Sequence, residues 1–261
     1  MYDKIHIQVS IAVLVIDDFT DKIVTSSALR VAVSSGKKPV KKEGGFYVFT
    51  NLTDPVVQVT VNGPGYCLQV QSVDLGRLDL ANPIVRIRVK PDRTYMLSEK
   101  DIRVWAFLPS GATLFLLDEE GGNYKRLWAD YESGSGEISL YRSDTEELAE
   151  KICCIVDKDR QYEMLRLGVP KEREAGIYSL RQEPRFSYKK VDTKIYPVSS
   201  IGGESEEEYF LPLQGDGREE IDCTCILQQE EGITLTHVTL RRGRENRLDF
   251  RGNSKKEREE Q

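Results

Sequence analysis

The chain has 261 residues, 39% of them hydrophobic and 31% charged, with a net charge of −6. That length holds two modest domains or one large one, and the charge balance is ordinary for a water-facing protein. No apolar run approaches the ~18–20 residues that cross a bilayer, and "MYDKIHIQVS" lacks the basic start and apolar core of a secretory signal. Synthesis in the cytoplasm without membrane insertion is therefore expected, and a protein acting outside would leave by lysis, by a dedicated machine or as part of a released particle. Residues 1–90 hold 11 Lys/Arg against 8 Asp/Glu, so the rest of the chain carries the negative balance. The asymmetry would help surfaces meet head to tail. It is too mild for a nucleic-acid partner, which would call for denser Lys/Arg with stacking aromatics.

Residues 5 to 15 alternate strictly, with Ile5, Ile7, Val9, Ile11, Val13 and Val15 on one side and His6, Gln8 and Ser10 on the other. Period two over that length predicts a half-buried strand, with His6 on the polar phase. The strand ends in "DDFTDK", where Asp17, Asp18 and Asp21 form the candidate calcium site, since hard cations take several convergent oxygens. The loop lacks the glycine and distant glutamate of a dedicated calcium loop, so a solvated turn competes, and no other cofactor is expected. Leu29, Val31 and Val33 predict the next strand.

In "KKEGGFYVFTNLTDPVVQVTVNGPGY" (41–66), Gly44-Gly45 supplies a tight turn and Tyr47, Phe49 and Leu52 supply core. Asp54-Pro55 breaks the pairing, because proline has no N–H for a ladder. Val57, Val59 and Val61 then alternate with polar residues. "PIVRIRVK" closes the set with Val85, Ile87 and Val89 inward and Arg86, Arg88 and Lys90 outward, the last three forming a candidate binding face. Six or seven strands punctuated by Gly, Pro, Asn and Asp predict a β-sandwich over 1–91. The pattern "GGFYVFTNL…PVVQVTVNGPGY" resembles carboxypeptidase-regulatory-like and related transthyretin-like sandwich domains, in which a glycine-led aromatic strand ends at "NL" and a valine strand leads to "GY". "TDKIV" stands where the usual "TGKPV" turn would be. The resemblance covers about residues 5–90 and implies a fold only, because such modules accompany many activities.

A second β-domain is expected over 92–200. "DIRVWAFLPSGATLFLLD" reads as two strands joined at Pro109-Ser110-Gly111, and "GEISLYRS", "KICCIVDK", "YEMLRLG" and "GIYSLRQ" follow as short strands. "NYKRLWADY" brings Tyr124, Trp128 and Tyr131 near a loop, where exposed aromatics would stack on sugar rings or anchor a protein. A place in the domain's own core is the alternative for Trp128. "ESGSGE" lacks the spacing and helix of a nucleophile elbow, so Ser133 and Ser135 read as loop residues. Asp144 to Lys151 is the only plausible helix, about two turns, and is better taken as a loop element. Cys153 and Cys154 are adjacent and Cys223 and Cys225 are two apart, neither a CxxC spacing, so thiols packed as small hydrophobes are expected. The run from "GEISLY" through "YKKVDTKIYPV" resembles β-domains of phage-tail-like structural proteins, which close a strand set with a G-T-x-I-Y-P phrase. Asp192 replaces the glycine of that phrase.

Residues 201–250 predict an acidic loop and a C-terminal β-hairpin, with His237 on one side of "LTHVTL", and 251–261 a disordered charged tail. No nucleophile, base and stabiliser occur together, which argues against an enzyme. An all-β, non-enzymatic structural or adaptor subunit is expected, in a homo- or hetero-oligomeric assembly of the phage-tail-like, contractile injection kind. A carbohydrate- or surface-protein-binding module is the alternative.

Overall fold

The structure, a computed structural model, describes residues 8–141, 148–172, 176–203 and 205–251. The chain is all-β and divides into two compact units, Met1–Tyr95 and Met96–Gln261. Among the described residues helical turns are limited to two 3-10 segments, Glu43–Gly45 and Leu75–Arg77, so no helix is long and apolar enough to cross a membrane. The predicted strand start at 5–7 with His6, the expected loop element at 144–147 and the tail from 252 onward lie outside the described residues.

In the first unit, β1 (Val9–Asp17), β2 (Arg30–Val33), β3 (Val40–Lys41), β4 (Phe46–Thr50), β5 (Val56–Gly63), β6 (Tyr66–Asp74) and β7 (Ile84–Val89) form two sheets, ordered β3-β4-β1-β7 and β2-β5-β6. The period-two residues of both sheets meet in one buried cluster: Ile11, Val13 and Val15 with Phe49, Ile87 and Val89 from the first, and Val31, Val57, Val59 and Val61 from the second. Each such side chain contributes ~1.5–3 kcal/mol by leaving water. Gly44 and Gly45 adopt φ +76° and +82°, and a Cβ on Gly45 would sit 2.8 Å from the Ile23 side chain. The double glycine is thus required by backbone conformation and by close approach.

The second unit contains β8 (Arg103–Leu108), β9 (Thr113–Leu117), β10 (Lys125–Arg126), β11 (Glu137–Ser139), β12 (Ile152–Val156), β13 (Tyr162–Glu172), β14 (Ile177–Gln182), β15 (Lys194–Pro197), β16 (Ser199–Gly202), β17 (Glu207–Phe210), β18 (Glu220–Gln229), β19 (Gly232–Arg241) and β20 (Glu245–Asp249). Its sheets are ordered β17-β8-β20, β16-β9-β18-β19 and β10-β15-β12-β13-β14-β11. The chain changes sheet at Pro109–Gly111, so β8 and β9 belong to different layers. The hairpin β18–β19 is integral to the unit, because β18 pairs with β9 from Thr224↔Leu117 to Gln228↔Thr113.

Alternation along β9 explains the layering. Leu114 and Leu116 enter a core with Val104, Ala106, Cys223, Cys225 and Leu227. Phe115 and Leu117 point the other way, into a core with Cys154, Val156, Met164, Tyr196 and Ile226. A sheet buried on both faces reads as an apolar run, which is why "ATLFLL" shows no polar phase. The six-stranded sheet closes on itself: Leu127 pairs with Leu140, Trp128 N donates to Ser139 O at 2.8 Å and Tyr141 N to Arg126 O at 2.9 Å, joining its two end strands. The interior of this small barrel holds Leu127, Tyr131, Ile138, Leu140, Cys153, Ile155, Leu165, Leu167, Tyr188 and Ile195. Cys153 and Cys154 therefore face different cores, as adjacent strand residues must. All five cysteines are thiols, four of them buried.

Candidate functional site

Five segments of the second unit meet around a cleft of about 680 Å³ on the outside of the barrel. Glu119 comes from the turn after β9, Tyr124 and Arg126 from β10 and its approach, Tyr141 from the end of β11, Asp157, Lys158 and Arg160 from the β12–β13 turn, and Lys190 to Lys194 with Tyr196 from the entry to β15. The volume lies within the ~300–1,000 Å³ of small-ligand sites. Pairing of β10 with β15 sets Arg126 directly opposite Lys194. Like charges in that position disfavour the ladder. The Tyr124 ring offsets part of the cost, with Lys194 Nζ 4.7 Å and Arg126 Cζ 5.6 Å from its centroid. Arg126 also donates to the Tyr124 hydroxyl at 3.1 Å and thereby holds that phenol below its ordinary range. Tyr196, behind Tyr124 at a centroid distance of 5.8 Å, is pushed up to about 12 by burial and then by Glu119.

Two of the cleft's three carboxylates, Glu119 and Asp157, are engaged by neighbouring groups. Glu119 accepts from Tyr162 at 2.8 Å and Thr224 at 3.0 Å and pairs with Arg160 at 3.6 Å. The Thr224 proton is thus committed to Glu119, so its oxygen accepts from His237 Nδ1 at 3.2 Å. Asp157 accepts the backbone N–H groups of Asp159 and Gln161 at 3.0 and 2.9 Å. Among the described residues no carboxylate lies within 4 Å of the side-chain nitrogens of Arg126, Lys158, Lys190 or Lys194. Thr193 in the cleft wall is 3% exposed, and among the described residues its hydroxyl has no hydrogen-bond partner.

The aromatics singled out in the sequence separate. Tyr124 lines the cleft and Trp128 stands 58% exposed, in T-shaped contact with Tyr141 at 4.8 Å. Tyr131 is no surface residue: it is 2% exposed in the barrel interior, bridged to Tyr188. Trp128 escapes the core because its neighbour Leu127 takes the inward position.

In the first unit the carboxylates of "DDFTDK" do not converge on one point. Asp17, 4% exposed, accepts from Phe19 N at 2.8 Å, Thr20 N at 3.1 Å, the Tyr66 hydroxyl at 2.9 Å and the Tyr95 hydroxyl at 2.6 Å. Arg88 reaches Asp18 at 3.4 Å and Asp21 at 2.5 Å, so a guanidinium stands where the cation was expected. Among the described residues no three His, Cys, Asp or Glu side chains are grouped to hold a metal ion. Arg86 and Arg88 take the outward phase of β7, yet Arg86 is buried, at 8% exposure, and Arg88 and Lys90 are half-buried. Their outward alternation marked the face correctly and misjudged its solvation, since Leu14 and Ile16 on the same face of β1 are buried as well.

Sequence reasoning missed Arg126, Lys158, Arg160, Lys190, Thr193 and Lys194, which come from three separated segments and share no motif. The usable signal was modest: a basic turn "DKDR" and a basic pair "YKK" inside the acidic part of the chain. Comparison with protein-family models, curated proteins and solved structures gives no match to this chain.

Proposed function

We propose that the protein is a non-catalytic structural or adaptor subunit that joins neighbouring chains through strand edges. The observation that carries this reading is β19. It pairs with β18 over ten consecutive residues without a bulge, from Glu220↔Arg241 to Gln229↔Gly232. Among the described residues no strand pairs with its other side. From Gly232 to Leu240 it has no charge and no proline, and Ile233 and Leu235 are exposed. Edge strands of that kind are templates for strand addition unless charge, proline or a bulge blunts them. β6 is a second edge strand, in the first unit: it is uncharged from Tyr66 to Val73 with Leu68 and Val70 exposed, although Lys90–Pro91 covers its Tyr66–Cys67 end. The likeness of the "GEISLY" to "KIYPV" stretch to phage-tail-like β-domains supports the same reading.

Light scattering on the purified protein, together with quantitative affinity purification from its source cells, tests the proposal. A defined oligomer or stoichiometric partner that is lost in Leu235→Lys is the expected result, because a lysine on an edge strand opposes further pairing. A monomer without a stoichiometric partner, or a complex indifferent to the substitution, sinks it.

A second reading, a carbohydrate-binding module, is favoured by Trp128 and Tyr141, both exposed and in edge contact beside the cleft. Aromatic faces held rigid in this way suit the apolar faces of sugar rings.

A further inference from the structure

We infer that the barrel cleft is a binding site for an oligoanionic sugar, a ring carrying sulfate or phosphate esters. The inference rests on the carbohydrate reading for the ring and adds the charge. Five cations line the cleft, Arg126, Lys158, Arg160, Lys190 and Lys194, against three carboxylates, Glu119, Asp157 and Asp192. Two of those carboxylates are already engaged, Glu119 by Tyr162, Thr224 and Arg160, and Asp157 by backbone N–H groups. Four of the cations lack a carboxylate partner among the described residues. This concentration occurs in a chain whose net charge is −6, so it is not the local expression of a basic protein. Focusing positive potential in a concave, aromatic-walled site costs folding energy and is repaid when an anion enters.

Two features make the cleft more than a cluster of surface lysines. Arg126 and Lys194 are fixed face to face by β10–β15 pairing, so their proximity is imposed by the ladder. Their Cα positions are therefore paired whichever rotamers the side chains take. The Thr193 hydroxyl is buried in the same wall without a partner. An orphaned buried hydroxyl costs ~1–3 kcal/mol, so the wall carries a polar group that the described chain leaves unsatisfied. Arg160 adds backbone strain, holding φ +58° outside the ordinary range of a non-glycine residue. The turn it closes presents Lys158 and Arg160 to the cleft from the side opposite β10. The rim pair Tyr141 and Trp128 offers the stacking face for the ring itself.

Calorimetric titration with three probes tests the inference: a sulfated heparin-type disaccharide, inositol hexakisphosphate, and the disaccharide without its sulfates. Saturable one-to-one binding of the sulfated or the phosphorylated probe is expected, and which of the two binds tighter names the ester. The double variant Lys158→Glu/Lys190→Glu alters two exposed side chains and should weaken binding about tenfold or more. A control reversal in the first unit, Lys37→Glu/Lys38→Glu, should leave the affinity within about twofold. No saturable binding of either anionic probe at ~1 mM, or equal losses in both variants, overturns the inference. Equal affinity for the unsulfated disaccharide overturns it too, while leaving the carbohydrate reading intact.

Discussion

Asp17 receives two backbone N–H groups and two phenols on one carboxylate. Replacement by alanine leaves those donors without an acceptor in a buried site, and a loss of about 3 kcal/mol or more is expected from urea unfolding of Asp17→Ala. The same geometry predicts that millimolar calcium leaves the melting temperature unchanged, since the Arg88 guanidinium already stands between Asp18 and Asp21. The sequence placed the three carboxylates in one turn and could not show their partners. Tyr66, Arg88 and Tyr95 lie far along the chain, and no local spacing reports a contact of that range. Phenols give a second expectation at this scale. Tyr131, Tyr162 and Tyr196 are each pushed up to about 12, first by burial, and Tyr66 and Tyr188 are raised further. Unfolded phenols titrate near ~10. The native state thus holds these protons more tightly than the unfolded chain. Their stabilising contribution is complete below about pH 10 and is lost as pH rises through about 12. Phenolate absorbance and circular dichroism recorded together should show these tyrosines ionising in step with unfolding; titration of all twelve tyrosines near pH ~10 with the fold intact would refute it.

The element scale separates what patterning reveals from what pairing decides. β1, β5, β7 and β8 were legible because each shows one side chain in two to a core, and the β18–β19 hairpin was legible from its length and its "EEG" turn. β16 and β20 were not, being short strands whose partners, β9 and β8, lie about 85 and 140 residues back. Closure of the barrel was equally hidden, since it depends on a single bridge between Leu127 and Leu140 in unremarkable sequence. Glycine carries a related message at the entry to the second unit. A Cβ on Gly215 would lie 1.7 Å from the carbonyl oxygen of Lys100, and the Gly215 N–H reaches Asp101 Oδ1 at 3.4 Å. Gly215→Ala must therefore push apart the segment that leads into β8 and the Ile102–Leu213 bridge. A destabilisation of about 2–4 kcal/mol is expected, read as a fall in the urea midpoint. Gly111→Ala serves as the contrast, for a Cβ there meets nothing within 4 Å and its φ of +75° leaves only the backbone penalty, about 1 kcal/mol.

At the scale of the whole second unit, the sheet β16-β9-β18-β19 supplies side chains to two cores at once, so its two halves share their middle layer. Phe115 and Leu116 are neighbours in sequence and belong to different cores. Removing either disturbs the same strand, and a barrel that unfolded alone would leave Phe115, Leu117 and Ile226 facing water. The barrel and the two-sheet half should therefore unfold together. The chain provides its own reporters, for it has only two tryptophans: Trp105 on β8 packs against Phe210, and Trp128 stands on the barrel rim. In the single-tryptophan variants Trp105→Phe and Trp128→Phe, fluorescence should give coincident urea transitions. Phe115→Ala and Leu116→Ala, introduced into each, should lower both midpoints by a loss of about 2–5 kcal/mol, whichever tryptophan is observed. Two separate midpoints, with Phe115→Ala and Leu116→Ala each moving only one of them, would show that the shared layer does not couple the halves.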